Sequence, residues 1–336
     1  MKRLIAAGGL LAFALSASPA AALDLKLSTF LPSAHFTQKE MLEPWAADLK
    51  ACTNGEVNVT IFPAGSAFGH VAKQLDQVRA GVVDLSHGLT GIPRGRLPRT
   101  TIIDMPFLTK TADSATKTLW ALHQGGHMGN EYRGLKVLAL HAHNPGKIHT
   151  REKKVGSIED LKGLRIRFPS LAISMMLKHL GGSPVGLPPT QVYENLQKGV
   201  IDGTVFPWEA IYAFKLHEVL KYHLDAKVYT TSFYFVMNEK KYKALPANVR
   251  GCIDKLSGEA IVNKMGPLWN KYDAPGLKAI QDKGNEIITV GDDKRAEWLT
   301  ALQPMVDGYL KALKKQGVKD PAALYAEAQR VVKTFE

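Results

Sequence analysis

Beyond its N-terminus, the sequence has no uninterrupted apolar stretch of the roughly 18 residues that a membrane-spanning helix needs. It has no Gly-x-Ser-x-Gly motif, no Walker phosphate loop and no dinucleotide-binding fingerprint. Lys and Arg outnumber Asp and Glu by 43 to 31, but the basic residues do not form runs interleaved with aromatic ones. These absences argue against a membrane-embedded chain, against the enzymes marked by those motifs and against nucleic-acid binding. The positive charge suits an anionic ligand.

The apolar segment at the N-terminus is typical of a secretion signal. Lys2 and Arg3 supply its positive charge, residues 4–15 supply its apolar core, and three alanines before Leu23 offer a cleavage site. We therefore expect residues 1–22 to be a signal peptide and the mature chain to be exported to the periplasm. No cysteine lies at the cleavage site, which argues against a lipid anchor there.

Cysteine is scarce as well, because the 336 residues include two, Cys52 and Cys252. An even number of cysteines in an exported protein favours a disulfide, which here would tie an early segment of the chain to a late one. Two separately buried thiols remain the alternative, since spacing alone does not decide connectivity.

Strand-like and helix-like segments alternate along the mature chain, a pattern that predicts an α/β fold with parallel packing. Two joins are alike: residues 79–84 and 197–202 both run from a helix through a glycine into two β-branched residues and an aspartate. We infer two lobes built on one plan. A helix over Leu256–Lys271 is long enough to lie across both lobes.

The pattern also predicts that the chain passes twice between the lobes. The polar segment 151–158, which has no apolar face, and the strand-like segment 230–237 are the candidate crossings. Each lobe is then discontinuous in sequence, and two hinge strands allow the lobes to close over a ligand. We assign residues as follows: 23–144 and 232–270 to the first lobe, and 145–231 and 271–336 to the second.

The strongest candidate for a binding residue lies at the end of a short strand. Apolar and basic residues alternate over 164–168, Pro169 ends the strand, and Ser170 is a suitable N-cap for the helix that follows. In α/β sheets, ligands bind beyond the carboxyl ends of strands. Arg167 lies nearer that end than Arg165, so we expect Arg167 to hold a carboxylate through paired hydrogen bonds. The alternative is that both arginines are solvated surface charges.

Aromatic residues occupy comparable positions after other strands. Phe206 and Trp208 follow a strand predicted over 200–206, and Phe30 follows the first strand. If these rings face the cleft, they contact the apolar body of a ligand whose carboxylate binds Arg167. Packing within the core is the alternative for all three rings.

The histidines do not indicate a metal site, although the sequence has 11 of them. His141 and His143 fall on one side of a predicted strand, but no Cys or carboxylate lies at ligand spacing from them. Hydrogen-bonded or solvated histidines are the better interpretation. We therefore expect neither a metal nor a cofactor.

Four short motifs follow one another along the chain: Ile61–Gly65, Ile103–Phe107, Asp160–Arg167 and Gly199–Gly203. Taken in this order, they resemble the substrate-binding proteins of TRAP (tripartite ATP-independent periplasmic) transporters. The resemblance covers essentially the whole mature chain and implies a two-lobed periplasmic-binding-protein architecture. Each lobe is then a sheet flanked by helices, with hinge strands and a long helix joining the two. It also implies capture of a small organic acid for a permease with a small and a large membrane subunit.

The resemblance implies roles for individual residues. In the family, the second arginine of the Leu-Arg-Ile-Arg stretch forms the ion pair with the ligand carboxylate, and that position is Arg167 here. Some members carry another arginine in a Gly-x-Arg pattern, for which this chain offers Lys147 at a shifted position. The sialic-acid branch has a polar amide where this chain has Phe206, which, together with Trp208, favours an aromatic or weakly polar monocarboxylate.

Two other functions stay open. The same scaffold could bind a C4-dicarboxylate or a 2-oxo acid, or the histidines could serve an exported metal-dependent hydrolase. We expect a binding protein without catalytic activity.

Overall fold

The computed structural model of the protein describes residues 22–336, so the predicted signal peptide lies outside the described residues except for Ala22. The described chain forms two β-sheets with helices packed around them, one sheet in each lobe. The prediction of a two-lobed α/β fold is therefore confirmed. The strands in this part of the chain are β1 (Leu23–Thr29), β2 (Val57–Phe62), β3 (Leu85–Leu89), β4 (Leu135–Ala142), β5 (Gly146–Thr150), β6 (Arg165–Phe168), β7 (Ser183–Gly186), β8 (Gly203–Phe206), β9 (Tyr222–Tyr229), β10 (Ser232–Asn238) and β11 (Glu286–Thr289).

Both sheets are mixed. The first has the order β2-β1-β3-β10-β4, in which β1 pairs in parallel with β2 and β3, and β10 runs antiparallel to β3 and β4. The second has the order β11-β9-β5-β8-β6-β7, in which β6 is parallel to β7 and β8, and β5 is antiparallel to β8 and β9. In each sheet, one strand arrives directly from the other lobe: β10 in the first sheet and β5 in the second. This strand is an interior strand and is antiparallel to both of its neighbours.

Helices cover the faces of both sheets because the apolar sides of the strands need partners. Within the described residues, no helix is both long enough and apolar enough to cross a bilayer. The α-helices are α1 (Glu43–Cys52), α2 (Gln74–Ala80), α3 (Ala112–Gln124), α4 (Leu171–His179), α5 (Val192–Gln197), α6 (Trp208–Ala213), α7 (Glu239–Ala244), α8 (Ala247–Lys255), α9 (Glu259–Asp282), α10 (Asp292–Lys315) and α11 (Pro321–Val332).

The chain crosses between the sheets at residues 143–145 and 230–231, which join β4 to β5 and β9 to β10. The prediction that 151–158 forms the first crossing is wrong. This segment is a loop of the second lobe: the Arg151 backbone N–H donates to Asp202, and its guanidinium donates to the Leu196 carbonyl at 2.6 Å. The loop lies mostly on the surface and binds the end of α5, while its Val155 side chain is buried in the hydrophobic core.

The strands of 23–142 and 232–238 make the first sheet, and those of 146–229 and 286–289 make the second. The C-terminal segment contacts both lobes, since α10 packs against α4 while α11 packs against α3. The boundaries assigned from the sequence, which place 271–336 in the second lobe, stay a prediction.

The long helix α9 runs farther than the sequence indicates and packs against α3 in one lobe and α6 in the other. Trp269 in its first half is buried, with its ring edge-on to Phe36 at 4.8 Å between centroids. Gly276 in its second half lies so close to α6 that a Cβ there would be 2.0 Å from the Trp208 carbonyl oxygen. A glycine is therefore required where the helix meets the second lobe.

Cys52 at the end of α1 and Cys252 in α8 form a disulfide, with 5.9 Å between their Cα atoms. The bond joins two helices that cover the first sheet and closes a loop with a sequence separation of 200 residues. Because it removes much of the freedom of the unfolded chain, a bond across so long a loop stabilises the fold.

Replacing both cysteines in a Cys52→Ala/Cys252→Ala variant should lower the free energy of unfolding by about 2–5 kcal/mol. Urea unfolding with and without dithiothreitol measures the effect. The reductant should destabilise the wild-type protein and leave the double variant unchanged. Equal unfolding curves for wild-type protein in the two buffers would contradict the assigned stabilisation.

Candidate functional site

A cavity lies between the two lobes. Its wall is mostly apolar, formed by Phe30, Leu31, Leu89, Pro169, Pro189, Phe206, Pro207, Ala210, Phe214, Phe233 and Trp269. The polar side chains that reach it are His35, His143, Arg167, Glu209, Tyr229 and Thr231. Residues from both sheets and from α9 therefore enclose a space that is apolar over most of its surface and polar at a few points.

Arg167 is the charged centre of this cavity. Its side chain is 1% exposed, and its Nε donates to the Leu187 carbonyl at 3.0 Å. Among residues 22–336, neither Nη1 nor Nη2 has a hydrogen-bond partner. The guanidinium lies 4.4 Å from the centroid of the Phe206 ring, a cation–π distance. Burial lowers the pKa of Arg167 to about 10, so the side chain stays charged at neutral pH.

The two arginines of strand β6 lie in different environments. Arg165 is exposed at the start of β6 and forms a two-point pair with Asp202, with Nη2 2.6 Å from Oδ1 and Nε 3.0 Å from Oδ2. Arg167 lies two residues farther along the same face, at the carboxyl end of the strand. Pro169 then ends the strand at the cavity wall. Arg165 is paired on the surface, whereas Arg167 enters the cavity with two nitrogens that have no hydrogen-bond partner in the described part of the chain.

Two hydroxyl groups near Arg167 were not singled out by the sequence analysis. Tyr229 and Thr231 are buried and line the cavity, and neither hydroxyl has a hydrogen-bond partner in the described part of the chain. The Tyr229 ring occupies space that a side chain at Gly146 would fill, since a Cβ there would lie 2.2 Å from the ring. Tyr229 precedes the second crossing between the lobes and Thr231 belongs to it, and the sequence indicated a hinge there but no ligand contacts.

The other predicted site residues divide into two groups. Phe30 and Phe206 line the cavity. Lys147 and Trp208 are buried behind its wall: the Lys147 ammonium lies 3.5 Å from Asp273 and 5.1 Å from the centre of the Trp208 ring. Among the lining residues, the neighbour Pro207 takes the place predicted for Trp208.

A pair of buried histidines supports the wall from the second lobe. His149 Nε2 lies 3.1 Å from the Phe206 carbonyl oxygen, which can only accept, so this nitrogen carries the proton. His149 Nδ1 then accepts from His223 Nδ1 at 2.8 Å, and His223 Nε2 accepts from the Asn285 amide at 3.2 Å. Both rings are neutral, and burial lowers the pKa of His223 to about 4. The pair fixes the backbone of the residue whose ring contacts Arg167.

A second pair lies behind the wall in the first lobe. Trp269 Nε1 donates to His141 Nδ1 at 3.3 Å, so His141 donates from Nε2 to His87 Nε2 at 2.9 Å. His87 Nδ1 in turn lies 3.4 Å from the Thr29 hydroxyl. Both imidazoles stack on Phe233, a lining residue, at 4.8 and 5.8 Å between centroids. Burial lowers the pKa of His87 to about 3, which keeps this pair neutral too.

These hydrogen bonds occupy the ring nitrogens of histidines that could otherwise coordinate a metal ion. Within residues 22–336, no group of three or more His, Cys, Asp or Glu side chains is arranged to hold a metal ion. His141 is held by other side chains, while His143 lines the cavity and its ring meets Tyr229 edge-on at 5.5 Å.

Comparison with known proteins identifies the family to which this architecture belongs. A sequence model described as "Bacterial extracellular solute-binding protein, family 7" matches residues 27–312. The chain belongs to this family. The prediction that the chain is a TRAP substrate-binding protein is confirmed. Such proteins bind small organic acids and work with membrane permease components, and the family's periplasmic binding proteins act in the periplasm.

Similar proteins of this solute-binding family match over nearly their whole length. The chain is 26% identical over 333 residues to "Outer membrane transporter protein TsaT" of Comamonas testosteroni, covering 96% of each chain. A marine metagenome TRAP solute-binding protein specific for aromatic acid ligands, solved with metahydroxyphenylacetate, is 34% identical with a TM-score of 0.89, covering 94% of this chain and 99% of that one. A TRAP solute-binding protein from Rhodoferax ferrireducens T118, solved with copurified benzoate, is 29% identical with a TM-score of 0.89, covering 94% and 98%.

The lobes of this solute-binding protein meet beside the cavity at Gly91, in the turn after β3. A Cβ on Gly91 would lie 2.9 Å from the Pro169 carbonyl oxygen and 2.9 Å from the Ser170 Cβ, both in the other lobe. Contacts under 3 Å at this point force either the turn or the opposite lobe to move.

Gly91→Val should therefore hold the lobes apart and increase the radius of gyration measured by small-angle X-ray scattering. Gly251→Val is the matched control, because a Cβ at this exposed position of α8 has nothing within 4 Å. The control should keep the wild-type radius of gyration and change the free energy of unfolding by less than about 1 kcal/mol. Identical scattering from the two variants would show that Gly91 does not limit closure.

Proposed function

We propose that this protein is the periplasmic component of a TRAP transporter that captures an aromatic or other weakly polar monocarboxylate through Arg167. The observation that carries the proposal is the pair of guanidinium nitrogens that have no hydrogen-bond partner among residues 22–336 and lie in a mostly apolar cavity between the lobes. A buried cation without a partner is costly, and a carboxylate with two oxygens matches the spacing of the two free donor groups.

The neighbours of Arg167 support a carboxylate in this position. The Phe206 ring covers the guanidinium, which excludes water from one side and strengthens the attraction to an anion. The Tyr229 and Thr231 hydroxyls supply two more donors to the same cavity. An anion bound there receives several hydrogen bonds at once, as a desolvated carboxylate requires.

The remaining wall favours a ring over a sugar or a flexible chain. Phe30, Phe214, Phe233 and Trp269 present aromatic surface to the cavity, and such surfaces bind planar apolar groups. Two similar solute-binding proteins were solved with benzoate and with metahydroxyphenylacetate, which have the same combination of a ring and a carboxylate.

The charge of the cavity argues against a C4-dicarboxylate. Of the described lining residues, Arg167 is the one Lys or Arg side chain, and Lys147 lies behind the wall next to Asp273. A second carboxylate would therefore be desolvated without a cation to receive it. Export by residues 1–22, delivery to a small and a large permease subunit, and the absence of catalysis belong to the same proposal, and family membership supports them.

Calorimetric titration with benzoate should show that Arg167→Ala weakens binding at least about 30-fold, since stripping the cation from a buried charge pair costs about 2–5 kcal/mol. Arg167→Lys should lose much of the affinity as well, because an ammonium cannot make the paired contact. Arg165→Ala is the matched control: it removes an arginine of the same strand that pairs with Asp202 outside the cavity.

Equal affinity in all three variants would defeat the clamp. If wild-type protein does not bind benzoate, native mass spectrometry of freshly purified protein identifies any acid that copurifies, and the titration is repeated with that acid. A bound neutral molecule would contradict the proposal.

Tyr229→Phe should weaken benzoate binding by about 3- to 15-fold, the cost of one lost hydrogen bond to a bound anion. The melting temperature should not fall, since the hydroxyl has no partner among the described residues. Tyr234→Phe removes a hydroxyl from an equally buried ring outside the cavity lining and should leave the affinity unchanged. A similar loss of affinity in both variants would indicate a general effect on the fold.

A further inference from the structure

A second polar contact crosses the cavity at a distance from Arg167. His35, in the turn between β1 and α1, and Glu209, on α6, come from different lobes and line the cavity together. His35 Nε2 lies 2.9 Å from Glu209 Oε1, and both side chains are buried. This contact is the only pairing of an imidazole with a carboxylate in the described cavity wall.

The hydrogen bonds of His35 fix the charge of this pair. The Thr37 backbone N–H donates to His35 Nδ1 at 3.1 Å, so Nδ1 carries no proton. Nε2 must then carry the ring proton and donate a hydrogen bond to the Glu209 carboxylate, so the imidazole is neutral. The cavity therefore holds a carboxylate that forms no ion pair with a Lys or Arg side chain among the described residues. Lys147 behind the wall contacts Asp273, whose other oxygen accepts the Glu209 backbone N–H at 2.8 Å.

Two aromatic rings lie between the Arg167 guanidinium and His35, the partner of this carboxylate. The guanidinium lies 4.4 Å from the Phe206 ring, Phe206 lies 5.9 Å from Phe214, and Phe214 lies 6.5 Å from His35, all between centres. The cavity thus has a cationic end at Arg167 and an anionic end at Glu209, with aromatic surface between them. Glu209 and His35 also line a groove outside the cavity, so they form the partition between the two spaces.

We propose that Glu209 is a specificity-determining residue that accepts a hydrogen bond from a donor group on the ligand ring, remote from the carboxylate, and repels a second carboxylate there. The proposal rests on the proposed function, in which Arg167 holds the first carboxylate. The chemical class it selects is a ring-hydroxylated aromatic monocarboxylate. An aromatic dicarboxylate of similar shape is rejected, because its second anionic group would face a buried anion.

The test compares four probes by calorimetry: benzoate, 3-hydroxybenzoate, 4-hydroxybenzoate and isophthalate. The readout is each affinity divided by that for benzoate in the same protein, because this ratio cancels any loss common to all ligands. In wild-type protein, one of the two hydroxybenzoates should bind at least about fivefold more tightly than benzoate, and isophthalate at least about tenfold more weakly.

Glu209→Gln keeps the size of the side chain and removes its charge. The preference for the hydroxybenzoate should shrink by at least about threefold, and the discrimination against isophthalate by about tenfold. Glu218→Gln is the matched control: it removes an acidic group that lines the outer groove, pairs with Tyr193 and does not line the cavity. It should keep both wild-type ratios.

His35→Gln provides a second variant, since it removes the contact between the lobes but keeps the Glu209 charge. The His35→Gln variant should still bind isophthalate more weakly than benzoate. If it does not, the proposal is overturned, and this test stands even if Glu209→Gln does not fold. Wild-type ratios in Glu209→Gln would overturn the role of Glu209 while leaving the Arg167 clamp standing, because benzoate still binds. If wild-type protein binds none of the four acids, the proposed aromatic ligand class fails and this inference fails with it.

Discussion

The buried guanidinium of Arg167 is the constraint on which the rest of the site depends. Removing a cation from water costs several kcal/mol unless an anion and hydrogen bonds replace the lost hydration. The protein supplies one carbonyl oxygen from Leu187 and the face of Phe206, and leaves two nitrogens without partners in the described chain. The fold must therefore hold an unfavourable arrangement in place, and the lobes, the helix α9 and the first-lobe disulfide provide the rigidity to do so. Binding of an anion relieves the cost.

Neutral histidines explain how a polar support can lie directly behind such a site without disturbing its charge. The pairs His149–His223 and His87–His141 each form a chain of hydrogen bonds in which every ring both donates and accepts. A protonated ring would lose one acceptor and break its chain, so the folded state favours the neutral form. Burial acts in the same direction and lowers the pKa of each of the four rings. The charge in the cavity is thereby left to Arg167 and Glu209.

The sequence predicted the elements that obey a local rule and missed those that depend on the folded chain. Arg167 could be chosen over Arg165 because the alternation ended at Pro169, which fixed the carboxyl end of the strand. Tyr229 and Thr231 carried no such signal, because their role comes from the second lobe crossing, where β9 meets the cavity. The polar loop 151–158 was taken for a crossing because a surface loop and a hinge have the same composition. The placement of Trp208 behind the wall reflects the packing of α6 against α9, which no local pattern reports.

The position of β10 has a consequence for biogenesis. This strand lies between β3 and β4 in the first sheet, yet it follows most of the second lobe along the chain. A polypeptide that is made from its N-terminus therefore leaves β3 and β4 without their shared neighbour until both crossings between the lobes, and β10 after them, have been made. Cys252 arrives later still, so oxidation cannot lock α1 to α8 before then. The sheet that begins the sequence therefore stays incomplete until β10 has been made, and its open strand edges need protection from wrong pairing while the chain folds.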